Sequence, residues 1–123
     1  MTRHKFYNRN PLGKREKDCV CRAISLGVNR DYYDILDKLY DIADLFDCEA
    51  LCVDCYKHLL DKVFNLQRIE CYHGYHIYEF LDEHPYGIYI IRIEGHLTCA
   101  IDGCIYDLWD CSDEIIDIIW KVI

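Results

Sequence analysis

The segment GIYIIRIEGHLTCAIDGCIYDLWD, residues 87–110, constrains the fold more than any other part of the chain. Residues 87–95 and 96–101 are rich in β-branched and aromatic side chains, as strands are. Asp102-Gly103 then offers the positive backbone angles that a two-residue hairpin loop requires, and 104–110 reads as the return strand. That loop fixes a register by counting. Ile101 faces Cys104, Thr98 faces Asp107 and His96 faces Trp109. Asp107 is then a diagonal neighbour of His96 on one face, within side-chain reach. DIIWKVI, 117–123, supplies a final strand.

The first half reads as helical. Asp18 is placed to cap a short helix carrying Val20, Ala23, Ile24 and Leu26, with Gly27 as its stop. Asp31 caps a second, in which Ile35, Leu36, Leu39, Tyr40, Ala43 and Leu45 recur at helical spacing, with Asp34, Asp37, Asp41 and Asp44 along its wet face. A third spans about Cys52 to Phe64, with Leu59, Leu60 and Val63 inward. Leu66–Tyr72 suggests a strand, and His76–Glu83 a short helix ended before Pro85. Residues 1–17 show no periodicity and read as an irregular arm. Helices first and strands later define an α+β fold, with N-terminal helices packed on a C-terminal antiparallel sheet. With 123 residues and no linker, 1–123 forms a single domain.

Charge narrows the partners. The net charge is −8, and the basic residues concentrate in the first 17 positions. This argues against nucleic acid and anionic membranes as partners and leaves a peptide or protein as the expected one. The sequence has no apolar run of the ~20 residues needed to span a bilayer and no apolar leader, so a cytoplasmic location is expected. The nine cysteines are an odd number, which fits thiols in a reducing compartment better than a closed disulfide framework.

Two cysteines, Cys19 and Cys21, stand where the first helix begins. A thiol in a first helical turn meets unpaired N–H groups and the positive end of the helix dipole, which favour thiolate. Cys19 there is either a nucleophile or a packed cysteine, and Cys21, on another side, reads as core. A nucleophilic thiol needs an imidazole and an orienting group. His96 and Asp107 have the geometry for that, although one histidine on a strand also serves structural roles. His4, His58, His73, His76 and His84 lack such a context.

Cys48, Cys52, Cys55 and His58 have soft-metal ligand chemistry. On one straight helix their offsets spread them over ~15 Å, too far to share one ion. They read as a cysteine-lined core face, and zinc binding requires the chain around Cys48 to be looped. No metal site and no cofactor are assigned.

The order Cys19, His96, Asp107 is similar to that of papain-like cysteine peptidases. DCVCRAIS (18–25), HPYGIYIIRIEGHLTCAIDGCIYDLWDCS (84–112) and the Trp-containing last strand more closely resemble a group of small papain-like proteins of phages and bacteria. The resemblance implies a papain-like fold, with Cys19 as nucleophile, His96 as general base and Asp107 as orienting acid. Asp110 is the rival orienter. A phage-encoded member would act in the host cytoplasm. Where these enzymes carry an oxyanion-binding Gln, position 13 is Gly, and Asn8 or Asn10 of the arm would substitute. The residue after Cys19 is Val rather than the usual Gly. Trp109 reads as core. The expected activity is that of a cysteine hydrolase or peptidase acting on an amide, isopeptide or thioester. The competing expectation is a non-catalytic protein-binding or inhibitor protein on the same fold.

Overall fold

Strand β3 (Ile88–Ile93) organises the molecule, because its side chains alternate between two cores. Ile90 points into one, and Tyr89, Ile91 and Ile93 into the other. The structure is a computed structural model that describes residues 3–123. In it six strands form one sheet in the order β1-β5-β4-β3-β6-β2. These are β1 (His4–Phe6), β2 (Gln67–Arg68), β3, β4 (His96–Ile101), β5 (Cys104–Asp107) and β6 (Ile118–Lys121). Every pairing is antiparallel except β1 with β5.

Four α-helices are present among the described residues: α1 (Cys19–Gly27), α2 (Tyr32–Phe46), α3 (Val53–His58) and α4 (Ile77–Glu83). The first three, with the turn that continues α3 over Leu59–Val63, cover one sheet face, burying Ile24, Ile35, Leu39, Leu59 and Leu60 against Ile90, Leu97, Cys99 and Trp120. Helix α4 covers the other face, with Ile77, Phe80 and Leu81 against Ile91, Ile93, Ala100 and Ile119. The fold is therefore α+β as expected, but with helices on both faces. None of the described helices is long and apolar enough to cross a membrane.

The hairpin register holds. Ile101 pairs with Cys104 and Ala100 with Ile105. Asp102 and Gly103 take φ of 48° and 76°, the left-handed pair that this loop demands. Asp31 caps α2 as expected, accepting from the N–H groups of Tyr33 and Asp34 at 3.0 and 3.3 Å.

Several boundaries differ from the sequence expectation. The arm is not wholly irregular. Its residues 4–6 form β1, and the Tyr7 N–H continues onto the Asp107 carbonyl at 3.1 Å. The third helix breaks after His58 into a π-helical turn over Leu59–Val63. The wider turn keeps Leu59 and Leu60 buried but rotates Val63 out to solvent. Gly27 is not a left-handed stop. It lies in the last turn of α1, where an added Cβ would sit 2.8 Å from Ile90 Cγ1, so the residue is small in order to seat α1 on the sheet.

Candidate active site

Helix α1 places Cys19 at its first position, half-buried, and β4 brings His96 to face it. The histidine is held from behind. Its Nε2 lies 2.6 Å from Asp107 Oδ2, with side-chain exposures of only 12% and 3%. Nε2 is committed to the carboxylate, so Nδ1 is the ring nitrogen left for the thiol, and Cys19 and His96 line the same cleft, each shifting the other's ionisation. The three residues singled out in the sequence thus meet in one constellation.

Asp107 is itself fully engaged. Thr98 Oγ1 donates to Oδ2 at 2.7 Å, as expected of its cross-strand partner. Arg22 Nη1 and the Leu108 N–H donate to Oδ1 at 3.0 and 2.7 Å. Its backbone carbonyl accepts from the β1 segment through Tyr7 N–H and meets His4 Nε2 at 2.9 Å. Asp107 is therefore fixed by a helix, a neighbouring strand and the N-terminal arm together.

Asp18 does not cap α1 with its side chain. Its carboxylate is buried and accepts from Arg22 Nε at 2.7 Å, Tyr32 OH at 2.7 Å and Asn10 Nδ2 at 3.0 Å. Arg22 thus bridges Asp18 and Asp107. This ties the start of α1, where Cys19 stands, to the carboxylate that holds His96. It also offsets the negative charge that Asp18 would otherwise place beside the Cys19 thiolate.

Electrostatics follow from these contacts. Burial disfavours the charged form of Cys19. The His96 hydrogen bond, the Leu97 backbone amide and the positive charges of His96 and Arg22 outweigh it, holding the thiol below its ordinary range. Burial likewise opposes protonation of His96, but the bonds to Asp107 and Cys19 win and raise it to about 9. Asp107 is desolvated too, yet its bonds to His96 and Thr98 keep it ionised below the usual carboxylate range. The two shifts run in the directions that favour a thiolate beside an imidazolium, with the carboxylate behind it. Elsewhere burial pushes the Cys21, Cys99 and Cys111 thiols up to about 12, as inert core cysteines.

Other expected residues lie elsewhere. Asn10 spends its amide on Asp18 and its carbonyl oxygen on the N–H groups of Leu12 and Lys14. Asn8 bonds the Lys14 carbonyl and the Asn10 N–H. Both side chains serve to fold the arm, so neither is free to bind an oxyanion. Asp110 accepts from the Ser112 N–H at 3.0 Å and does not orient His96. Trp109 is not core. It is 43% exposed, with its ring 5.2 Å from that of His96.

A cleft of about 720 Å³ opens beside Cys19 and His96. Leu51, Val53, Leu108 and Trp109 give it an apolar wall, and Lys17 and Glu16 stand at its margin. Tyr56 also lines it, its hydroxyl accepting from Arg92 Nε at 2.7 Å, and Arg92 in turn pairs with Asp117. The second wall comes from the segment around Leu51–Tyr56, not from a separate lobe.

That segment also changes the reading of its cysteines. The chain between α2 and α3 is looped, with Asp47 left-handed and Cys52 just before α3. The straight-helix geometry therefore does not apply, and the sulfurs of Cys48, Cys52 and Cys55 lie within 4.8 Å of one another. His58 is not among them and packs its ring against Phe46. His96, Asp107 and Cys111 form a second such group, in which the first two are already bonded to each other.

Arg22 is the residue that sequence reasoning missed. Its i,i+4 spacing from Asp18 was a readable signal for half of its role. Comparison with protein-family models, with curated proteins and with solved structures finds no match to this chain.

Proposed function

We propose that the protein is a cysteine hydrolase or acyltransferase of papain-like arrangement, acting on an amide, isopeptide or thioester bond. One observation carries the reading: His96, bonded to the buried carboxylate of Asp107, lines one cleft with a thiol at a helix start. Many proteins bury cysteines, but a structural role gives no reason to surround one with an imidazole, a carboxylate and an open cleft.

The Cys19 thiolate attacks the carbonyl carbon of the substrate. The first-turn N–H groups of α1 face the developing oxyanion and the positive end of the helix dipole stabilises it. His96 passes its proton to the leaving amine or thiol, giving an acyl-enzyme. It then takes a proton from water or another acceptor, which releases the acyl group. Asp107 holds the imidazole in the required orientation and stabilises its charged form. Leu51, Val53, Leu108 and Trp109 suit an apolar side chain next to the scissile bond, so the preferred substrate is a peptide or protein segment with such a residue.

The test is turnover of a panel of fluorogenic peptide amides, isopeptides and thioesters with aliphatic or aromatic residues beside the cleaved bond. Wild type cleaves at least one class and forms a covalent adduct on Cys19 visible by mass spectrometry. Cys19→Ser abolishes both. Equal turnover by Cys19→Ser would contradict the reading.

A further inference from the structure

A second group of side chains has the chemistry of a site and no part in the triad. Cys48, Cys52 and Cys55 converge from a loop, a helix-flanking position and the first turns of α3, with all three sulfurs within 4.8 Å. Cys48 Sγ and Cys55 Sγ approach to 2.6 Å, and Cys55 Sγ also bonds the Glu49 carbonyl at 3.2 Å. Two sulfurs at this separation are closer than thiols pack, and a cation between them would open the pair to the wider spacing that metal–thiolate bonds set.

We propose that these three cysteines bind a single thiophilic metal ion of the zinc class, independently of the catalytic reading. Zinc–thiolate bonds of about 2.3 Å at tetrahedral angles put sulfurs a little under ~4 Å apart, inside the spread found here. An iron–sulfur cubane interposes its own core between ligands and needs them wider. Three protein ligands leave a fourth position for water or a further donor. Cys52 and Cys48 are half-buried and admit the ion, while Cys55 is fully buried and anchors the site.

Binding balances as three thiols plus Zn²⁺ giving a tris-thiolate complex of net charge −1 and three protons released to solvent. Because the ion displaces the thiol protons, affinity rises with pH. The ion would pin the 48–55 segment, and Cys52 is part of the cleft wall. The metal is therefore a structural clamp on one side of the cleft.

The experiment is elemental analysis of the full chain, purified under reducing conditions without chelator, with Co²⁺ titration as a spectroscopic probe. The expected result is one zinc per chain, and with cobalt a thiolate charge-transfer band with intense tetrahedral d–d bands. Cys48→Ser and Cys52→Ser, at half-buried positions that leave the core intact, should each weaken binding more than the ~100-fold typical of losing an outer-shell partner. Cys19→Ser and Cys111→Ser should retain the ion. Three results each overturn the proposal. One is no metal and no cobalt bands in wild type. Another is metal that survives Cys48→Ser and Cys52→Ser but is lost with Cys19→Ser or Cys111→Ser. The third is a metal-free protein with a Cys48–Cys55 disulfide after reduction.

Discussion

Replacing Arg22 with Met will cost roughly 3–5 kcal/mol of folding stability, the range for breaking a buried ion pair from one side. The guanidinium is 9% exposed and bonds carboxylates that are themselves buried, Asp18 through Nε and Asp107 through Nη1. Methionine fills much of the volume but leaves two buried negative charges short of a partner. A domain of this size has on the order of 5–15 kcal/mol to lose, so the melting temperature should fall by roughly 10–20 °C. Arg22→Lys should recover only part of this, because an ammonium cannot reproduce the two-pronged bridge.

The loss is pH-dependent, with a sign set by the carboxylates. Both Asp18 and Asp107 have their folded values lowered, by bonds that outweigh burial. Their stabilisation is therefore present above the unfolded value of 3.8 and lost as pH falls through the folded values. Wild type loses stability on acidification, while Arg22→Met, with less to lose, loses less. The gap between the two should narrow below about pH 4, measured by urea unfolding at several pH values.

The second large effect is catalytic. His96→Ala and Asp107→Asn should each lower kcat/KM on the best panel substrate by roughly 10²–10⁴-fold. In Asp107→Asn the amide replaces a charge that favours imidazolium, and its NH₂ can turn toward Nε2 and compete for the wrong tautomer. The wild-type pH profile should be bell-shaped. The acid limb reports ionisation of Cys19, below the ordinary thiol range, and the alkaline limb falls as His96 loses its proton near 9. Asp107→Asn removes the largest bond supporting the imidazolium, so the alkaline limb moves to lower pH. A purely structural Asp107 would reduce the amount of folded protein without moving that limb.

The hairpin made the His96–Asp107 pair legible, because Asp102-Gly103 admits one loop geometry and period-two alternation does the rest. Cys19 was legible from its place before an apolar-periodic run. What failed was longer in range. Asp18 carried every local mark of a cap, yet its side chain turned toward Arg22, Asn10 and Tyr32, the last two lying well away in sequence. Asn8 and Asn10 had the right chemistry for an oxyanion, but the arm needed their hydrogen bonds to fold on itself. Trp109 looked like core because tryptophan is usually buried, and only the end of β5 at Asp107 shows that the chain has left the sheet by then. The sequence showed the three cysteines and the condition for their convergence, a loop around Cys48, but not that the chain meets it, as it does before α3.

The central claim is that Cys19 and His96 form a thiolate–imidazolium pair. Its most direct test is the iodoacetamide alkylation rate of each cysteine, resolved by peptide mass spectrometry from about pH 4 to 9, in wild type and His96→Ala. The account predicts that Cys19 reacts well below the ordinary thiol pKa of about 8.5 and loses that reactivity when His96 is removed, while Cys21, Cys99 and Cys111 stay inert. A Cys19 that titrates like an ordinary exposed thiol in both proteins, or that reacts in neither, would contradict it.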